Sequence, residues 1–350
     1  MYIVKEVEKR TGEAMIGLII ILLLVLFLPF SIKTIEHNLE FFLFAMGLAS
    51  ATISGVMDRQ LIEKAVIDPI NITIAVLAAG LLAKWFKAEL EKSILWGSRL
   101  LSPRLFFGLT VVFLGLASSV ITAIIAAIIL VMIIKVLPLD RKSEVRFTVL
   151  ACFSIGLGAA LTPIGEPLAT ITISRLDKDF FYLLELIGRE VLPALIIFGV
   201  MSIILVRPNG EKSNLKSASR PESYEEIAVR SFKIYLFVMG LTFLGHGFEL
   251  LIKTYVIGLS PAMLYWINMI SAILDNATLA AAEISPAMDS GTIRAVLLGL
   301  VISGGMLIPG NIPNIIAAGK LNITSREWSA FGVPVGLLTM FLYYIVLFIF

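Results

Sequence analysis

Leu105–Leu137 reads LFFGLTVVFLGLASSVITAIIAAIILVMIIKVL, 33 residues whose only charge is Lys135. Basic residues flank it on both sides: Lys84, Lys87, Lys92, Arg99 and Arg104 before, Lys135, Arg141, Lys142 and Arg146 at its end and after. The excess of Lys and Arg in cytoplasmic loops then puts both ends of the stretch on the cytoplasmic side. Two full crossings need roughly 40 apolar residues, and this stretch is shorter. It therefore predicts a re-entrant hairpin of two half-helices, with the polar cluster Ser118–Thr122 at its tip.

The rest of the chain fits that setting. Of 350 residues, 58% are hydrophobic and 15% charged, against about 45–50% and about 25% in soluble domains. An all-α polytopic protein of the cell membrane is expected, with the lipid bilayer and a small ion as its partners. A β-barrel is excluded, because its strands would be about ten residues long and alternate in polarity. A net charge of +2 gives no reason to expect a nucleic-acid partner. One cysteine, Cys152, and two histidines, His37 and His246, argue against a disulfide or a histidine-built metal centre, so no cofactor is expected. Met15–Ile32 reads as a retained first span: its apolar run exceeds that of a signal peptide, and Lys33-Thr34-Ile35-Glu36 offers no small-residue cleavage site.

Further spans are predicted at Leu39–Met57 and Ile67–Phe86, and Lys87–Arg104 reads as an interfacial amphipathic helix. Phe147–Ile173 crosses outward through a break at Thr162–Pro167, and Phe180–Val206 returns. The Pro-, Ser- and charge-rich stretch Arg207–Arg230 reads as a cytoplasmic linker. Beyond it, Phe232–Ile252 crosses outward, Ser260–Met288 forms a second hairpin entering from outside, and Ile293–Ala318 crosses inward through a break at Pro309–Asn314. Trp328–Phe350 ends the chain. These readings divide it into N-terminal spans (1–66), a first repeat (67–206, hairpin 105–137), a linker (207–230) and a second repeat (231–350, hairpin 260–288). Both termini fall outside. Span, hairpin, broken span and span recur with opposite orientation, which gives inverted repeats, each holding a re-entrant helical hairpin and a discontinuous transmembrane helix.

Irregular backbone at membrane depth is tolerated where it is buried in protein or lines a water-filled cavity, so the tips and breaks are the candidate sites. Asp275-Asn276 carries the sharpest signal, since an embedded acid costs roughly 2.5–3.5 kcal/mol on insertion scales and calls for a partner, a proton or a cation. Carbonyls freed at the tip, with oxygens from Ser271, Asn276 and Thr278, suit Na+; Asp275, Asn276 and Asn314 form the expected Na+ ligand set. A protonated Asp275 hydrogen-bonded between helices is the structural alternative. Gly304-Gly305 and Pro309-Gly310-Asn311 supply bare carbonyls opposite, where a simple proline kink is the alternative. In the first half, Thr162-Pro163-Ile164-Gly165-Glu166-Pro167 contains a second acid. Two readings stand for Glu166: a cation ligand or proton carrier, and a residue near the membrane surface paired with Arg175 or Lys178. The first tip is less polar, with Thr122 and Ala123 at the positions of Asp275 and Asn276. His246 reads as a hydrogen-bonded structural histidine, and Glu283 as a residue near the outer surface, because Pro286 and Asp289 follow it.

These motifs resemble those of the ion transporter superfamily that includes the NhaD-type sodium/proton antiporters, arsenite permeases, citrate-metal transporters and divalent-anion/sodium symporters. Ser271-Ala272-Ile273-Leu274-Asp275-Asn276 is similar to the antiporters' Ser-x-x-x-Asp-Asn tip, and Thr162–Pro167 to their Thr-x-Ile-Gly-x-Pro loop. Gly304-Gly305 through Asn314 extends the likeness, which covers roughly Leu105 to Ala318. It implies inverted repeats, elevator-like alternating access, homodimerisation, and cation sites at Ser118, Thr122, Thr162, Gly165, Ser271, Asp275, Asn276, Gly310 and Asn314. The sequence departs from the pattern near Leu168-Ala169, where an asparagine usually closes the first loop, and at the first tip, which lacks the Asp-Asn pair. Its length places it with a compact branch of cation transporters.

The expected function is secondary transport, exchanging Na+ or Li+ for H+, with sodium-coupled symport of an anion or carboxylate as the alternative. No arginine falls in either tip or either break. An enzyme is not expected, because Asp275 has no second embedded aspartate to pair with; a channel is disfavoured by the doubled broken helices.

Overall fold

Ser-Pro opens the first arm of both predicted hairpins. In the computed structural model, Ser102 and Ser260 each accept a hydrogen bond from the backbone N–H three residues on, at 3.4 Å, and Pro103 and Pro261 occupy the first helical position. Proline has no N–H to lose there, and its φ is already helical. The structure describes residues 2–32, 34–35, 38–85, 101–208, 223–255, 258–274, 276–284 and 286–349. Among them the regular elements are all helices, apart from one isolated bridge between Leu139 and Pro208.

The helices are α1 (Tyr2–Ser31), α2 (Leu39–Ile53), α3 (Arg59–Trp85), α4 (Pro103–Ile121), α5 (Ala123–Val136), α6 (Arg141–Ala159), α7 (Pro167–Leu176) and α8 (Tyr182–Leu205). They continue as α9 (Tyr224–Tyr255), α10 (Pro261–Ile267) with a 3-10 turn at Asn268–Ala272, α11 (Asn276–Glu283), α12 (Ser290–Gly304), α13 (Ile312–Leu321) and α14 (Ser325–Phe348). Among the described residues, α4, α8, Tyr224–Glu249 of α9 and α14 are long and apolar enough to cross a membrane. Their outward faces are apolar: Phe113 is 69% exposed, Ile204 68% and Phe341 53%. Water would penalise that surface, whereas lipid is an equivalent solvent for it. The chain is a membrane-embedded helical protein.

Two groups of helices form. In one, α9 packs along α2 and α3, with α1 beside α2. Polar contacts tie this group: Lys233 to Glu40 at 2.5 Å, the Tyr235 hydroxyl to the Val66 carbonyl at 2.9 Å, and Lys64 Nζ to His246 Nε2 at 3.3 Å. Where α9 meets α5 and α13, the contact is an apolar cluster of Ala127, Ile128, Ile234 and Ile316.

The second group holds ten helices in one order repeated twice: a two-armed hairpin, a helix, a break, a short helix and a long helix. Its packing repeats as well. The first arm lies on the helix before the break in its own half (α4 on α6, α10 on α12). The second arm lies on the helix after the break in the other half (α5 on α13, α11 on α7). Both post-break helices are ten residues long and end on a left-handed residue, Asp177 at φ 50° and Asn322 at φ 51°. Asp and Asn tolerate that region. The next N–H returns to a carbonyl five residues back in each, Lys178 to Ile173 and Ile323 to Ala318. Aligned from these ends, Gly165 corresponds to Gly310, Glu166 to Asn311 and Ala169 to Asn314.

The first hairpin turns at Thr122, inside the predicted tip, but its first arm is longer than a half-helix. At 19 residues, α4 reaches about 28 Å, because nothing between Pro103 and Ser118 interrupts its apolar repeat. The second hairpin is shorter, with seven α-helical and five 3-10 residues in one arm and eight residues in the other. Of the expected interfacial helix Lys87–Arg104 and linker Arg207–Arg230, positions 87–100 and 209–222 lie outside the described residues.

Candidate functional site

At the first tip, backbone strain and hydrogen bonding meet. Thr122 sits at φ 73°, ψ 150°, a region that β-branched residues rarely enter, and its hydroxyl accepts from the Ile125 N–H at 3.4 Å. The break in the same half folds onto this turn. The Ser118 hydroxyl lies 2.7 Å from the Gly115 carbonyl and 2.9 Å from that of Ile155, to which it donates across to α6. The Thr162 hydroxyl donates to the Ser119 carbonyl, and the Ala123 N–H to the Gly165 carbonyl at 2.9 Å. Only glycine fits at two of these contacts: a Cβ on Gly158 would lie 1.7 Å from the Gly115 oxygen, and one on Gly165 2.0 Å from the Ala159 oxygen.

The second tip and break repeat the contact with different chemistry. Ser271 donates to the Leu300 carbonyl at 3.1 Å, and the break returns so closely that a Cβ on Gly310 would lie 2.5 Å from the Gly304 oxygen. Asn314 is fully buried and donates both amide hydrogens, to Gly304 O at 2.8 Å and Leu307 O at 2.9 Å. Its Oδ1 makes no hydrogen bond, nor does the Nδ2 of Asn276, which is 4% exposed. Ser271, Gly310 and Asn314 thus gather around the Gly304 peptide. Asp275 and the side chain of Thr278 lie outside the described residues, so the expected Na+ set is described at Asn276 and Asn314.

Between the halves opens a cavity of about 380 Å³, lined among others by Thr122, Ala123, Gly165, Glu166, Asn311 and Ile312. Three helices begin at its wall: α5 after Thr122, α7 after Glu166 and α13 after Asn311. Their first N–H groups carry partial positive charge. Glu166 is the one charged side chain among the described lining residues, and it is 5% exposed within the protein. Neither Glu166 nor Asn311 caps its own helix. Asn311 instead faces the first half, where a Cβ on Gly156 of α6 would lie 2.7 Å from its Nδ2. The two corresponding break residues, one acid and one amide, therefore line a single cavity.

Arg141, expected only as a topology signal, joins the halves at the far end of α13. Its guanidinium holds Glu327 through Nε at 2.6 Å and Nη2 at 2.7 Å, Glu144 at 2.7 Å, and the carbonyls of Leu321 and Asn322 at 3.0 and 2.6 Å. These last carbonyls of α13 have no helical partner, and a cation satisfies them.

Glu283, expected near the outer surface, is 4% exposed within the protein, because α11 is covered by α7, α9 and α12, while Pro286 and Asp289 after it are exposed. Asn268 and Ser303 also escaped notice. Asn268 is fully buried, and its carbonyl accepts from Ser303 at 2.7 Å. Its place one helical turn before Ser271 was the available signal.

No curated protein matches this chain. A family model, by contrast, covers nearly all of it, and on residues 15–350 the chain belongs to the family described as a protein of unknown function, DUF1646.

Proposed function

We propose that the protein is a secondary active transporter of the ion transporter superfamily type, exchanging Na+ or Li+ for H+ by alternating access. The observation that carries this reading is the charge of the cavity between the halves. Among its described lining residues one charged side chain, the acid Glu166, stands at 5% exposure. An acid in such a place binds a cation or a proton, and both at one group in turn is the chemistry of exchange. The duplicated order of hairpin, break and short helix supports two repeats about this cavity; in the proposed arrangement they are inverted, with re-entrant hairpins, the linker cytoplasmic and both termini outside. The first helix group (α1, α2, α3 and α9) would be the frame, through which two copies would pair, and the second the moving part.

Cation-dependent proton flux in proteoliposomes tests it, with wild type beside Glu166→Gln and Asp275→Asn. Wild type moves protons when Na+ or Li+ is added, and each variant loses at least tenfold. A wild type without cation-dependent flux counts against exchange, and variants equal to wild type count against the assigned residues.

The three helix N-termini favour a second reading, sodium-coupled symport of an anion or carboxylate, since helix starts bind anions without arginine. Uptake of a labelled dicarboxylate driven by a sodium gradient separates the two.

A further inference from the structure

The second hairpin encloses a carboxylate that the central cavity does not use. Glu283 closes α11 at 4% exposure, and neither of its oxygens makes a hydrogen bond. The polar group that acts on it is the amide of Asn268, on the opposite arm. Asn268 is fully buried, and its Nδ2 and Oδ1 are likewise without hydrogen bonds. Seven residues before Glu283, on the same face of α11, the Nδ2 of Asn276 is the next such group. Polar atoms left unmatched inside a protein are rare, and each calls for a reason.

Charge does not supply one. Helices α7, α9 and α12 pack against α11. On them Lys233 pairs with Glu40, His246 with Lys64 and Arg294 with Glu190. Arg175 of α7 and Glu249 of α9 are further charges on these helices; at Glu283 itself burial and the Asn268 amide dominate. An ionised carboxylate so enclosed is far more costly than a neutral acid. Nor does the fold require the pair as a brace. Laying Ser118 on Ser271, the corresponding residues of the first hairpin are Gly115 and Leu130, both buried, and that hairpin closes without them.

We infer that Glu283 is a proton-binding site of the transport cycle, separate from the central cavity. With the arms of the second hairpin closed, the acid form is enclosed, its O–H facing the Asn268 Oδ1. When the arms part and water or a cation enters, the O–H bond breaks, the proton passes to water, and the carboxylate accepts from the Asn268 Nδ2. Asn268 suits both states because its amide can donate or accept. This inference rests on the transporter reading for its role in the cycle, but the protonation itself is measurable without transport.

The test is infrared difference spectroscopy of the full chain in lipid as pH is stepped through the neutral range. Wild type shows a protonated-carboxyl band that disappears as pH rises, and Glu283→Gln lacks it; an unchanged band in Glu283→Gln overturns the inference. Glutamine matches the neutral acid in shape. Should that variant not fold, Asn268→Ala takes its place, with a displaced band midpoint expected and an unmoved one overturning the assignment. In proteoliposomes, cation uptake driven by a pH gradient falls at least tenfold in Glu283→Gln. If wild type moves no cation, the transporter reading fails while the infrared titration still reports on Glu283; if both proteins take up cation equally, the proposed role of Glu283 alone fails.

Discussion

Ser118 and Ser271 make the same hydrogen bond in the two halves of the chain: one hydroxyl donates to the Ile155 carbonyl at 2.9 Å, the other to the Leu300 carbonyl at 3.1 Å. Each fastens a hairpin tip to the helix before its break. Replacing either serine with alanine removes a buried hydrogen bond, a loss of about 1 kcal/mol. Thermal unfolding in detergent should show both variants melting below wild type. Ser119→Ala, whose hydroxyl bonds only within its own helix, to Leu116 O, should change stability by less than roughly 0.5 kcal/mol.

Alanine at Gly165 or Gly310 should be far more damaging. The added methyl would sit 2.0 Å from the Ala159 oxygen in the first case and 2.5 Å from the Gly304 oxygen in the second, both backbone atoms. Each break would have to move off its neighbouring helix, at about 1–3 kcal/mol, and the proposed transport should be lost with it. Gly319→Ala is the contrasting variant: its Cβ would meet nothing within 4 Å, and inside α13 it should add up to about 1 kcal/mol of helix stability. Melting temperatures and proteoliposome flux of the three together check the prediction.

Arg141→Lys should not be a conservative change. A planar guanidinium serves two oxygens of Glu327 and two backbone carbonyls at once, and an ammonium cannot reproduce that fork. Both side chains are partly exposed, at 44% and 33%, so solvent screening holds the coupling to about 1 kcal/mol. A double-mutant cycle with Glu327→Gln measures it, and zero coupling would show the bridge to be ornamental.

Acid should loosen the start of α12. Asp289 accepts hydrogen bonds from the Thr292 hydroxyl at 2.6 Å and the Thr292 N–H at 3.0 Å, which hold its carboxyl below the usual range. A group depressed on folding contributes stability that is complete above its unfolded value, about 3.9, and is lost as pH falls through its folded one. Hydrogen exchange at Thr292 should therefore quicken below about pH 4 relative to the intrinsic rate, and Asp289→Ala should remove that dependence.

The sequence made the breaks legible because they are written locally. Pro163, Gly165 and Pro167, then Pro309, Gly310 and Pro313, interrupt apolar runs, and the structure opens each helix there. Thr122 was visible for the same reason. What sequence could not reveal was which helix would cover which. The crossed packing of α5 on α13 and α11 on α7 is tertiary, and it alone brings Glu166 and Asn311 to one cavity and buries Glu283. Depth was the common blind spot, since an acid reads alike in sequence whether protein or water lies above it. The length of α4 was misjudged because loop charge reports on sides of a membrane, not on how far a helix travels.

The contact of Ile234 and Val238 on α9 with Ala127 and Ile128 on α5 and Ile312 and Ile316 on α13 is built of methyl groups. Attraction between such surfaces depends on the area in touch and hardly on alignment, since no donor must find an acceptor. A shift of one turn exchanges one set of methyls for another of similar size. Along this seam the polar bonds of α9 to α2 and α3 fix one wall, and under the proposed alternating access the other would slide past it. In that reading the seam is a lubricated joint, and a single polar residue introduced on each wall would turn it into a ratchet.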